Sequence, residues 1–187
     1  MKSSDSDILI LPGHAGSGPD HWQSRMVARL STARVVEQPD WNFPSLETAV
    51  DHMVAAMEKS SRPMVLVAHS AGTVLVAHAV PRLVDLGLAH QIKGAFLVSV
   101  PSASALAGLP HIDPVFAQIP REPLPFPSTI IASSNDPFGS LENTADMALA
   151  WGSKMIEAGE QGHINTQSGH GPWPEGMMAF AGFLSRL

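Results

Sequence analysis

Ser70 is the residue whose neighbours most directly suggest a chemical role. The apolar run 64–67 precedes it, and a pattern typical of a helix extends over residues 73–86. A serine between a strand and a helix, with small residues two positions before and after it, is typical of a nucleophile elbow. Ala68 and Gly72 are those small residues. The pattern predicts a strained turn that exposes the Ser70 hydroxyl at the positive end of the helix.

A serine hydroxyl is a strong nucleophile only when a base takes its proton and a carboxylate orients that base. Asp136 is the candidate carboxylate, because it lies just after the apolar segment 128–132 and before Pro137. The proline favours an extended backbone at Asp136. A turn aspartate or a helix cap also fits this position taken alone, but the elbow upstream favours the catalytic interpretation.

Two histidines are candidates for the base, and both lie among glycines near the end of the chain. We select His163 because it comes sooner after the last predicted strand, and His170 remains the alternative. Either residue also fits an ordinary surface loop. His69 adjoins the serine, but at such a turn its side chain should point away from the Ser70 hydroxyl and pack beside the elbow.

A developing oxyanion needs two backbone N–H groups to stabilise it. The amide of Ala71, directly after the serine, is one candidate, and we select the His14 amide in the glycine-rich segment 12–18 as the other. We also predict that Gly13, His14 and His69 contact the substrate. A glycine-rich segment after a first strand also suggests phosphate binding, but its glycines do not fit GxGxxG and no Walker lysine follows.

Strands and helices alternate along the chain, which is typical of α/β proteins with a parallel sheet. The predicted strands are continuous apolar runs, as in sheets that helices cover on both faces. We therefore predict a three-layer sandwich with a six-stranded, mainly parallel sheet, in a single domain over residues 1–187. The proline-rich segment 101–127 should form an ordered loop, with about one helical turn, over the carboxyl edge of the sheet. The predicted strands are residues 8–11, 33–36, 64–67, 92–100, 128–132 and 154–156, and the predicted helices are residues 20–30, 45–57, 73–86, 141–151 and 174–187.

The composition excludes several other classes of chemistry. The chain has no cysteine, which rules out disulfides, thiol catalysis and cysteine-based zinc sites. Its histidines are scattered without an HExxH motif, so we expect neither a metal nor a cofactor. A net charge of −6 disfavours nucleic acids and anionic membranes as partners and leaves a small-molecule substrate. The N-terminus does not read as a signal peptide, so we expect a cytoplasmic protein.

Four motifs, in this order, resemble a family of small serine hydrolases that includes the animal retinoblastoma-binding protein nine and many bacterial relatives. The likeness extends from about residue 8 to the C-terminus. It implies a compact α/β-hydrolase fold without a large lid, and a catalytic triad at Ser70, Asp136 and His163. The motifs are residues 11–23, 69–72, 134–138, and 162–165 followed by 173–176.

The chain departs from the pattern of this family at two positions. Ala68 stands where the elbow usually has glycine, and His14 stands where bacterial relatives often have tryptophan. The second change implies a different pocket wall. Retinoblastoma binding is not expected, because the short docking motif for it needs a cysteine.

Together these residues predict a serine hydrolase that cleaves small carboxylic esters, with amides as a second substrate class, through an acyl-enzyme. Acyl transfer to an alcohol or an amine would use the same residues. The alternative is a partner-binding protein with weak or no catalysis on a hydrolase scaffold. In that case the proline-rich segment 101–127 would be the docking surface.

Overall fold

A computed structural model describes residues 1–42 and 45–187 of the chain. Its six strands form one sheet in the order β2-β1-β3-β4-β5-β6, and every neighbouring pair is parallel. The predicted α/β sandwich is therefore confirmed. The strands are β1 (Asp7–Leu11), β2 (Ala33–Val35), β3 (Met64–His69), β4 (Ile92–Val98), β5 (Ser128–Ala132) and β6 (Lys154–Glu157), and the helices are α1 (Trp22–Arg29), α2 (Leu46–Glu58), α3 (Ala71–Asp85), α4 (Ala103–Ala107), α5 (Leu141–Trp151) and α6 (Pro174–Leu184).

Alternation along the strands divides the core into two layers. Successive side chains of a strand point to opposite faces, so a continuous apolar strand fills both layers. One layer packs β1, β3 and β4 against α2, α3 and α5 through side chains such as Leu9, Leu66 and Leu97. The other packs the same strands against α1 and α6 through side chains such as Ile10 and Phe96.

The strand order reverses at β1 and β3, where ligand crevices form in open α/β sheets. Leu11, the last residue of β1, is paired with Ala68 near the end of β3. This register places the turn that follows β1 directly beside the turn that follows β3. The two turns predicted to hold the oxyanion and the nucleophile are therefore neighbours.

The structure differs from the sequence predictions at several element ends. β3 continues to His69, whereas β4 ends at Val98, before the predicted limit at residue 100. Ser45 precedes α2 as predicted, but its side chain makes no capping hydrogen bond. Instead the Asp113 carboxylate, which comes from a distant loop, accepts a bond from the Leu46 amide at 3.1 Å. Local sequence could not reveal a cap supplied by a residue so far along the chain.

The proline-rich segment 101–127 contains more helix than the single turn predicted for it. It contains α4 and a 3₁₀ helix at Pro114–Ala117, both of which are short. Leu106 and Phe116, one from each helix, are buried in the core layer that contains α3. Within the described residues this segment therefore forms no large lid over the sheet.

Gly72 permits the close approach of the two turns. A Cβ atom at this position would lie 2.3 Å from the Leu11 carbonyl oxygen and 2.6 Å from that of Pro12. Gly72→Ala should therefore lower the free energy of unfolding by about 3 kcal/mol, since backbone must move to admit the methyl group. Urea denaturation measures this loss.

Gly182→Ala is the matched control, because that glycine lies in α6 with its nearest neighbouring atom 3.6 Å from an added Cβ. In a helix, alanine is favoured over glycine by up to about 1 kcal/mol, so this variant should be unchanged or more stable. Equal losses in the two variants would contradict the account of the close approach.

Candidate active site

Ser70 adopts a backbone conformation that L-residues rarely take, with φ 52° and ψ −128°. Such strain persists only where the surroundings enforce it. The Ser70 amide donates to the Val98 carbonyl at 3.0 Å, and the Thr73 amide and hydroxyl donate to the Ser70 carbonyl at 2.8 and 2.6 Å. These bonds hold the turn on both sides of the serine.

Three side chains form a connected chain of hydrogen bonds. The His163 Nε2 lies 2.9 Å from the Ser70 Oγ, and its Nδ1 lies 2.9 Å from both carboxylate oxygens of Asp136. An ionised carboxylate can only accept, so Nδ1 carries the proton and Nε2 is free to accept from the hydroxyl. The His163 and Asp136 side chains are only 8% and 3% exposed, which shields the pair from water.

Loops at the ends of β5 and β6 hold Asp136 and His163, the predicted acid and base. The Phe138 amide donates to one Asp136 oxygen at 2.9 Å and fixes the carboxylate. The Asn135 side-chain oxygen accepts from the Gly162 amide and from the Ser133 hydroxyl, so it ties the loop of the acid to the loop of the base. The segment around Asp136 therefore also positions His163.

His170, the alternative base, makes different contacts. Its Nε2 lies 2.8 Å from the Gln161 side-chain oxygen, and its Nδ1 lies 3.2 Å from the Ser168 hydroxyl. It thus braces the loop that contains His163 rather than contacting Ser70. Sequence distance from the strand end favoured His163, and the structure brings His163 to the serine.

His69 packs against His163 and is buried. Its Nε2 is 2.8 Å from the His163 carbonyl oxygen, so this nitrogen must carry a proton and donate. Burial lowers the pKa of His69 well below its usual value, and a charge on His163 lowers it further. His69 therefore stays neutral while it holds the backbone of His163, and its ring also borders the cavity above Ser70.

His21 is a second neutral histidine beside the site. It caps α1, where its Nδ1 accepts from the Gln23 amide at 3.2 Å, and its ring lies edge-on to that of His69 with centroids 5.0 Å apart. Burial lowers the pKa of His21 to about 4, and the nearby His163 and His170 add to this effect. When His163 is protonated, neither His21 nor His69 carries a positive charge that would oppose it.

Gln23 is a site residue that the sequence analysis missed. It is fully buried, and its side-chain nitrogen donates to the carbonyls of Leu11 and Val67, each at 3.3 Å. Its side-chain oxygen accepts from the Ser17 hydroxyl at 2.7 Å. One amide therefore links the carboxyl ends of β1 and β3 to the loop after β1. A polar residue on the buried face of a predicted helix was the available signal.

The predicted oxyanion donors lie on the two adjacent turns. Neither the His14 nor the Ala71 amide donates a hydrogen bond to another described residue. The loop of His14 is held by its neighbours, since the Ala15 amide donates to the Trp41 carbonyl and the Gly16 amide donates to the Gly13 carbonyl. Two free N–H groups on rigid turns are suited to stabilising a negative oxygen.

Gly13 allows this loop to approach the serine. A Cβ atom at Gly13 would lie 2.8 Å from the Ser70 Cβ. A cavity of about 320 Å³ lies above this contact and is open to Ser70 and His163.

The described residues contain no cluster of three or more histidine, aspartate or glutamate side chains arranged to hold a metal ion. The part of the chain that the structure describes has no helix long and apolar enough to cross a bilayer.

Comparison with known proteins assigns the chain to a family. Residues 8–182 match the family model described as serine hydrolase, so the chain belongs to this family and has its α/β-hydrolase fold. No curated protein sequence matches the chain.

Solved structures with the same fold cover nearly the whole chain. A YdeN-like hydrolase from Pectobacterium atrosepticum is 29% identical, with a TM-score of 0.83 over 97% of this chain and 91% of its own. The ydeN gene product from B. subtilis is 20% identical, with a TM-score of 0.73 over 96% and 99% of the two chains. Esterase 2 from Thermogutta terrifontis, solved after phosphonylation by cyclosarin, is 15% identical, with a TM-score of 0.71 over 100% and 85%.

The low pKa of His21 predicts how stability depends on pH. At pH 5 the unfolded chain binds a proton at this imidazole and the folded chain does not, so stability is lost as the pH falls from about 6.5 towards 4. His21→Asn removes the titration but keeps a side chain that can cap α1. Between pH 7 and pH 5 its unfolding free energy should fall by about 2 kcal/mol less than that of the unmodified protein.

Urea unfolding of both proteins at the two pH values measures this difference. His90→Asn is the matched control for replacing a histidine by asparagine, because His90 is exposed and lies outside the cluster of His21, His69 and His163. The same loss of stability in His21→Asn and in the unmodified protein would show that His21 is protonated in the folded state.

Proposed function

We propose that the protein hydrolyses carboxylic esters, and amides as a second substrate class, by acyl transfer to Ser70. The observation that supports this most strongly is the continuous hydrogen-bond chain from Asp136 through His163 to the Ser70 hydroxyl. This is the arrangement that acyl-transfer enzymes need to activate a serine. Membership of the serine hydrolase family agrees with it. The proposed catalytic unit is a single domain over residues 1–187.

In the proposed first step the Ser70 Oγ attacks the acyl carbon and its proton passes to the Nε2 of His163. Asp136 accepts from Nδ1–H throughout and stabilises the imidazolium. The amides of His14 and Ala71 donate to the oxyanion, each lowering the barrier by about 3–4 kcal/mol. The tetrahedral intermediate collapses, and the leaving alcohol or amine takes the proton from Nε2.

The second step reverses the roles of the same groups. A water molecule gives a proton to the Nε2 of His163 as its oxygen attacks the acyl carbon. The Ser70 Oγ then leaves and recovers that proton, and a carboxylic acid is released. His69 and His21 remain neutral, so the proton has one histidine to occupy in this cluster.

The motifs at residues 11–23 and 173–176 further favour the branch of the family that resembles retinoblastoma-binding protein nine. That branch would share the triad and the compact fold with this chain. We propose this placement on the motifs alone, without the partner that gave the animal protein its name.

A fluorophosphonate probe tests the role of Ser70. The probe should label the unmodified protein and should not label Ser70→Ala, because the activated hydroxyl is the group that attacks phosphorus. Ser99→Ala is a matched control: Ser99 also has a positive φ, its hydroxyl is buried, and its oxygen has no hydrogen-bond partner within the described residues. This control should label normally.

Equal labelling of Ser70→Ala, or no labelling of the unmodified protein, would overturn the proposed function. A protein that captures a specific partner and turns over no ester would instead be the binding protein considered above.

Asp136→Asn tests whether the carboxylate orients the base. Asparagine keeps the shape of the side chain but favours the wrong imidazole tautomer, so kcat should fall by a factor on the order of 10⁴. Circular dichroism should show the fold intact. Steady-state kinetics on a short-chain nitrophenyl ester measures the effect, and a loss below tenfold would remove Asp136 from the proposed mechanism.

A further inference from the structure

A second, smaller cavity adjoins the predicted oxyanion hole. Its volume is about 30 Å³, against about 320 Å³ for the cavity that contains Ser70 and His163. Its walls are mostly apolar and come from β1, α2, α3 and the segment between β4 and β5. The side chains that form them include Leu11, Val36, Leu75, Phe116 and Trp41.

The two cavities meet at the turn after β1. Gly13 and His14 line both of them, whereas Ala71 lines the small cavity and His163 lines the large one. The small cavity is therefore bordered by both residues whose amides are free, His14 and Ala71. It contains no group that could give or take a proton at the reacting carbon, apart from the wall residue His14.

This arrangement assigns the two substituents of a tetrahedral intermediate on Ser70. With its oxyanion on the His14 and Ala71 amides, the carbon still bears an acyl chain and a leaving group. The leaving group must face the Nε2 of His163, since it takes its proton from there. That atom lies in the large cavity, so the acyl chain is left with the small apolar one.

We propose that the small cavity is the acyl pocket and that it selects short, unbranched acyl chains. The proposal rests on the proposed function and deepens it. A volume of about 30 Å³ corresponds to about two to three water-sized groups, so about three carbon atoms, the length of a butyryl chain, fit beyond the carbonyl. Leu75 lies one helical turn after Ala71, on the same face of α3, and limits the depth of the pocket.

The large cavity receives an uncharged alcohol. Asn165, Thr166 and Gln167 line it together with apolar side chains such as Leu109 and Phe138, and histidine is the one titratable residue type among the described residues that border it. The His69 and His21 imidazoles are held neutral by burial. Neutral polar groups and apolar side chains thus meet the leaving group, and neither a cationic nor an anionic alcohol finds a counter-charge. The substrate class is a short-chain ester of an uncharged alcohol.

A series of nitrophenyl esters, from acetate through butyrate to octanoate, tests the acyl pocket. In the unmodified protein kcat/KM should fall by more than about tenfold from butyrate to octanoate, because the longer chain does not fit. Leu75→Ala should raise the ratio of octanoate to butyrate activity by about tenfold or more. Phe116→Leu, a smaller change in the same wall, should shift this ratio in the same direction.

Leu83→Ala is the matched control, because Leu83 is fully buried in the same helix and lines neither cavity. It should lose stability but keep the chain-length preference. Equal kcat/KM for butyrate and octanoate in the unmodified protein would overturn the acyl pocket. A shift in Leu83→Ala as large as in Leu75→Ala would also overturn it.

Fluorophosphonate labelling of Ser70 separates the two levels of the proposal. Labelling without a chain-length preference would overturn the acyl pocket but leave the proposed hydrolase function standing, whereas no labelling would overturn both.

A second series of esters keeps the acyl group as butyryl and compares glycerol with choline as the alcohol. Glycerol should give the higher kcat/KM, and a preference for choline would overturn the assignment of the large cavity.

Discussion

The close approach of two backbone turns is the constraint on which the site depends. Gly72 lies against the Leu11 carbonyl, and Gly13 lies against Ser70, so neither position admits a side chain without movement of backbone or of the serine. The same contact places the predicted oxyanion amides beside the strained turn of the serine, which its hydrogen bonds to Val98 and Thr73 hold. Gln23 reinforces the contact through bonds to the carbonyls of Leu11 and Val67, at the carboxyl ends of two neighbouring strands.

The electrostatic environment of His163 follows from the burial of the histidines beside it. His163 lies against His69, with ring centroids 4.9 Å apart, and His69 in turn lies against His21. Burial lowers the pKa of both neighbours, so a proton arriving at His163 is not opposed by a second imidazolium. The same burial makes the free energy of unfolding depend on pH, because neutral buried histidines make the fold less stable as the pH falls. Within this cluster the proposed mechanism therefore needs only His163 to take a proton, and the Asp136 carboxylate is hydrogen-bonded to its Nδ1.

Much of the architecture could be predicted from the sequence because it depends on local patterns. Apolar runs alternate with helical periodicity, and small residues flank Ser70, so the sheet and the elbow were predicted. Choosing between His163 and His170 rested on spacing, because the bonds that turn His170 away from the serine depend on the irregular fold of its own loop, which has no periodic sequence pattern. The role of Gln23 was missed because its partners lie on two strands far apart in sequence. The small cavity, too, is built from several separate elements and leaves no local sequence pattern.

A covalent acyl group is expected on Ser70 during turnover. Rapid acid quenching of a reaction with a butyrate ester, followed by proteolysis and mass spectrometry, measures this most directly. The butyryl group is expected on the peptide that contains Ser70, and no such adduct is expected in Ser70→Ala or in a His163 variant that cannot take the serine proton. Ester turnover with no acyl group on Ser70, or with the group on another residue, would contradict the proposed mechanism.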